Sequence, residues 1–119
     1  MPQAIVLFGH GSRDPLWRAP IEAVATRLRA ADGSLAVRCA YLELTEPDLP
    51  AAVGELVAAG ATAVRIVPMF LGVGRHARED LPLLVAGLRQ AHPDLSFEVA
   101  RAVGEEERVL DLLADIARG

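Results

Sequence analysis

The stretch Ala4-Ile5-Val6-Leu7-Phe8-Gly9-His10-Gly11-Ser12 decides the fold. An unbroken apolar run with β-branched and aromatic members reads as a strand over about residues 4–9. It stops at Gly9-His10-Gly11, where glycine permits a sharp exit or the close approach of a ligand. A second stretch repeats the arrangement. Val64-Arg65-Ile66-Val67-Pro68-Met69-Phe70 runs into Leu71-Gly72-Val73-Gly74-Arg75-His76, a strand over about residues 63–70 followed by a glycine-rich loop. The chain has three histidines, and two of them stand just past the C-terminal ends of strands.

Helical patterns fill the intervals. Ile21, Val24, Ala25 and Leu28 share one face of a helix in which Pro20 takes an early position, so residues 14–19 are expected to form a preceding turn. A strand over about 35–42 follows Asp32-Gly33. Pro47 is expected to open the next helix, with Glu46 as its cap, Leu49, Val53, Leu56 and Val57 on the core face, and Gly60 as its end. After the second histidine loop, Leu81, Leu84, Val85 and Leu88 mark a helix that ends before His92-Pro93. A short strand over about 95–100 leads past Gly104 to a last helix with Val109, Leu112, Leu113 and Ile116 on one face.

Alternating strands and helices of these lengths specify an α/β fold. The expectation is an open parallel four-stranded sheet, order 2-1-3-4, with helices on both faces, in a single domain over residues 1–119. In that order strands 1 and 3 are neighbours whose helices leave toward opposite faces. The crevice between their C-terminal ends is the topological switch point, where open α/β sheets bind ligands. His10 and His76 converge on that opening.

Composition narrows the partners. A net charge of −4 argues against nucleic acid. No apolar run reaches the roughly 18 residues of a membrane span, and no signal peptide is visible, so a cytoplasmic location is expected. The lone cysteine, Cys39, excludes an intrachain disulfide and a cysteine-based zinc cluster, and its place in a strand predicts a buried small side chain. Every basic residue is an arginine. The hydrophobic fraction of 52% hints at a subunit interface.

Two imidazoles at one opening make a borderline-soft site suited to cobalt, nickel, iron or zinc. A structural zinc site would supply four protein ligands, and nothing in the sequence completes that set. Two ligands leave the ion coordinatively open, as suits a metal that enters and is handed on. Glu43 and Glu46, at the end of strand 2, reach the same edge of the sheet, where a carboxylate takes protons, binds N–H groups or completes a metal shell. Glu79 and Asp80 are accounted for by the dipole of the helix they open. Ser12, Arg13, Arg75 and Arg78 are placed to line the mouth, and His92 is given no role. There is no G-x-x-x-x-G-K-[ST] motif, no G-x-S-x-G elbow and no full dinucleotide fingerprint, so neither ATP nor NAD dependence has support.

Leu7-Phe8-Gly9-His10-Gly11-Ser12-Arg13, Ala40-Tyr41-Leu42-Glu43-Leu44-Thr45-Glu46-Pro47, and Val67 to His76 with Asp80-Leu81-Pro82 together resemble the CbiX-type sirohydrochlorin chelatases. The resemblance runs in order over essentially the whole chain. One departure is Ala102, where many relatives carry proline. The resemblance implies insertion of a divalent metal into sirohydrochlorin, a polycarboxylate tetrapyrrole, without ATP or a prosthetic group. The metal is a substrate: Co²⁺ for cobalamin synthesis, with Ni²⁺ or Fe²⁺ inserted by close relatives. It implies that His10 is metal ligand and proton acceptor and His76 the second ligand. Glu46 and the segment Leu71, Gly72, Val73, Gly74, Arg75 and His76 would contact the tetrapyrrole, and Glu43 is a possible second base. It also implies a homodimer that encloses the substrate. Two other readings remain: a non-enzymatic metal or tetrapyrrole carrier using the same histidines, and phosphoryl transfer with His10 as nucleophile. The second lacks an arginine on the strand side of the histidine, where Gly9 stands.

Overall fold

The hydrophobic runs pair as four parallel strands in a computed structural model that describes residues 4–119: β1 (Ala4–Gly9), β2 (Ala36–Tyr41), β3 (Ala63–Pro68) and β4 (Ser96–Val99), in the order β2-β1-β3-β4. Ala4 lies opposite Ala36 on one side and Val64 on the other, and Ala63 lies opposite Ser96. The expected topology is observed. β1 is central, and all six of its residues are buried.

The period-two alternation of a strand assigns each β1 side chain to one of two cores. Ala4, Val6 and Phe8 pack with Val64 and Ile66 beneath α2 (Leu49–Ala58) and α3 (Arg75–Ala91), where Leu56, Val85 and Leu88 close the layer. Ile5 and Leu7 face the other way, with Val37 and Tyr41, beneath Ile21 and Ala25 of α1 (Ala19–Ala31). Pro20 stands in the first turn of α1, and a 3₁₀ turn over Pro15–Arg18 precedes it, both as expected.

Three expectations need correction. Glu46 does not cap α2. Tyr41 N–H donates to the Pro47 carbonyl at 3.0 Å, which keeps residues 47 and 48 extended beside β2, and the helix starts at Leu49. Its cap is Asp48, whose shorter carboxylate accepts from Ala51 N–H at 2.9 Å. Cys39 is half-buried rather than buried; it packs at the rim of the α1-side core, where burial pushes its thiol pKa up. β3 is not equally covered on both faces: Val64, Ile66 and Pro68 are buried, whereas Ala63, Arg65 and Val67 are only half-buried.

A second apolar face is left uncovered at the C-terminus. The last helix, α4 (Glu107–Arg118), has its apolar residues on one face as expected, yet none of its residues is buried and none joins either core. Leu112 is 59% and Ile116 67% exposed. Among the described residues no helix is long and apolar enough to cross a membrane.

Candidate metal centre

His10 is the first residue after β1, and its position is inherited from the most buried strand in the molecule. Phe8 and Phe70 meet edge to face at 5.9 Å, and the same Phe70 ring lies 6.1 Å from the His10 ring at 72°. The imidazole is therefore seated against Phe70, two residues beyond β3, whose ring in turn packs on Phe8 of β1. Phe70 was not singled out from the sequence; its place immediately before the Leu71–His76 segment is the signal that could have found it.

Glu43 reaches His10 because the two loops are stitched together. Leu42 N–H donates to the Gly9 carbonyl at 2.9 Å and Glu43 N–H to the His10 carbonyl at 3.1 Å. Ser12 N–H donates to Thr45 Oγ1 at 3.1 Å, and the Thr45 hydroxyl donates back to the Ser12 carbonyl. Gly11 makes this approach possible. Its φ is +107°, and a Cβ built there would sit 1.7 Å from the Glu43 carbonyl oxygen. The outcome is a carboxylate oxygen, Glu43 Oε1, 3.3 Å from His10 Nε2, with both side chains about half exposed. This pair combines a neutral-capable nitrogen donor with an acid able to ligate a cation or accept a proton.

His76 stands at the second position of α3, exposed, after the Leu71–Gly74 loop, so both histidines lie beyond the C-terminal ends of neighbouring strands. Among the described residues no three His, Cys, Asp or Glu side chains gather closely enough to form a metal-binding set. The structure thus joins His10 to Glu43, and His76 stands apart from them. The α3 N-terminus has no side-chain cap, because Gly74 occupies that position. Its free N–H groups favour an anion. Arg75 is engaged with Glu79 across one helical turn at 3.0 Å. The Leu71–Gly74 loop is itself clamped: Gly104 N–H donates to the Phe70 carbonyl at 2.9 Å, and a Cβ on Gly104 would lie 1.7 Å from the Leu71 carbonyl oxygen.

Glu46 does not join the His10–Glu43 pair in these contacts. It lines a cavity of about 510 Å³ on the α1 side of the same loop and, together with Glu43, a second one of about 540 Å³. A larger cavity, about 900 Å³, opens between residues such as Asp32, Ala36 and Arg65 at the opposite, N-terminal edge of the sheet. It lies far from both histidines. The C-terminal edge instead presents a shallow, exposed floor, with Leu71 65% and Leu44 55% exposed.

The fold is an open α/β domain with an imidazole–carboxylate pair beside the switch point of its sheet. Residues 4–118 match the CbiX family model, and the chain belongs to the CbiX family. It is 29% identical to the sirohydrochlorin cobaltochelatase of Methanococcus aeolicus, with 98% of this chain and 99% of that protein covered. It is 31% identical to the sirohydrochlorin ferrochelatase of Bacillus subtilis, over 92% of this chain but only 42% of that longer protein. A CbiX protein from Marinobacter aquaeolei VT8 superposes with a TM-score of 0.83 at 30% identity, covering 98% of this chain and 95% of that one.

Proposed function

We propose that this protein inserts a divalent metal into sirohydrochlorin, with Co²⁺ as the preferred ion. The single observation that carries the reading is the His10–Glu43 pair, 3.3 Å apart at the switch point of the sheet. Metallation must strip water from an ion, remove two pyrrole protons and transfer the ion to the ring nitrogens. His10 Nε2 ligates the incoming ion; when the ion passes to the pyrrole nitrogens, the freed lone pair takes a proton. Glu43 steadies the resulting imidazolium and accepts the second proton. His76, exposed at the head of α3, supplies the second ligand of a shell that stays open to the ring. The ring itself lies against Glu46 and the segment Leu71 to His76, whose uncapped helix N-terminus suits a carboxylate arm.

The cobalt preference has support in the name of the methanogen relative, which this chain matches nearly end to end; the ferrochelatase is matched only in part. A second copy of the chain completes the site. The exposed apolar face of α4 requires a cover, and the chain spans less than half of the B. subtilis relative. A homodimer covers Leu112, Leu113 and Ile116 together. Sedimentation at twice the chain mass is the expected result, and a monomer at micromolar concentration would contradict it.

The functional test is metallation of sirohydrochlorin followed through its visible spectrum, with Co²⁺, Ni²⁺ and Fe²⁺ offered singly and in competition. Cobalt insertion should dominate under equal supply. A carrier would use the same residues and is separated by turnover.

A further inference from the structure

The chain carries a net charge of −4, yet one cavity concentrates the opposite sign. It encloses about 500 Å³ between α3 and the stretch that leaves β4, and Arg78, Arg89 and Arg101 line it against a single acid, Glu105. Phe70, Leu81 and Val85 give it an apolar floor. A cleft with low-dielectric walls and charge of one sign focuses its field on an entering ion of the other.

Topology sorts the three arginines. Arg78 stands in the first turn of α3, which follows β3, and Arg101 is the second residue past β4, the neighbour of β3. Both therefore lie beyond the C-terminal edge of the sheet, as His10 does. Arg89 is about three turns further along α3, and its guanidinium donates to the Phe97 carbonyl at 3.5 Å. The two mouth cations are exposed and incompletely neutralised. Arg78 makes no ion pair or hydrogen bond among the described residues. Arg101 shares the Glu106 carboxylate with Arg108, at 3.6 and 3.9 Å.

The cavity also adjoins the metal centre. Phe70, whose ring lies 6.1 Å from that of His10, belongs to its floor. A tetrapyrrole that offers its central nitrogens at His10 holds its acid arms outward at its rim. Guanidinium groups pair with carboxylates through two parallel hydrogen bonds.

We propose that this cavity is a subsite for a carboxylate arm of the tetrapyrrole, with Arg78 and Arg101 as its donors and the apolar floor beneath the arm's methylenes. The proposal rests on the chelatase reading and names the residues by which the site selects an acidic ring.

The test titrates metal-free sirohydrochlorin, followed by its own visible absorption, into wild type and four single variants. Arg78→Ala and Arg101→Ala should each weaken binding about fivefold, the scale of a solvent-exposed charge pair. Their losses should add to roughly 25-fold in the double variant. Glu105→Gln, which removes the opposing charge, should tighten binding about twofold. Arg27→Ala deletes the same charge from α1, across the sheet, where Arg27 bonds only the Ala23 carbonyl of its own helix. Its affinity should stay within about twofold of wild type, since a distant exposed charge is screened. Unchanged affinity in Arg78→Ala and Arg101→Ala would overturn the subsite alone, as would an equal loss in Arg27→Ala. Wild type that binds no sirohydrochlorin would overturn the chelatase reading and the subsite with it.

Discussion

His10→Ala is expected to lower the rate of metal insertion by at least about 100-fold, the scale set by removing a positioned acid–base group, while the fold survives. The two halves of that expectation have separate causes. His10 is held at the end of the buried β1 strand, against Phe70 and 3.3 Å from Glu43, so no other side chain occupies its place. Its own ring is 42% exposed and contributes little to either core. A loss of less than about 1 kcal/mol in urea unfolding is therefore expected alongside the loss of rate. His76→Ala should also lose most activity, since it removes the second ligand. An enzyme that kept more than a tenth of its rate without His10 would show that the imidazole is not at the centre of the chemistry.

Gly11→Ala is expected to be among the most damaging small substitutions in the molecule. Two independent penalties meet there: a φ of +107°, which L side chains rarely adopt, and a Cβ position 1.7 Å from the Glu43 carbonyl oxygen. Backbone, not a flexible side chain, is in the way, so relief requires parting the two loops. A cost of about 3 kcal/mol in chemical denaturation follows. Activity should fall further than stability explains, because separating the loops draws Glu43 away from His10. Gly87→Ala supplies the contrast. That residue sits inside α3 with open space around it, and alanine there should stabilise by about 0.5–1 kcal/mol. If Gly11→Ala unfolded at the wild-type midpoint, the stitched-loop account of the site would be wrong.

The parts of this protein legible in its sequence are those governed by periodicity and handedness. The apolar runs at Ala4–Phe8 and Val64–Phe70 located the central strands, and the right-handed crossover rule put His10 and His76 at one edge of the sheet. The Glu43–His10 contact was legible only as far as a shared edge. Its distance depends on Gly11 and on the Thr45–Ser12 bonds, which are long-range pairings that no local pattern encodes. The start of α2 was misplaced for a related reason: Pro47 carries a strong helix-opening signal, yet its carbonyl is claimed by Tyr41 N–H and the helix waits for Asp48. The last helix shows the opposite failure. Its amphipathic pattern is plain from Val109 to Ile116, but a pattern states that a face must be covered and not what covers it.

The most direct measurement is the number of sirohydrochlorin molecules metallated with Co²⁺ per protein chain, against a protein-free control at the same metal concentration. Many turnovers per chain, at a rate well above the control and dependent on His10, is the predicted result. Stoichiometric binding of metal or tetrapyrrole with a rate equal to the control would contradict it and make the protein a carrier.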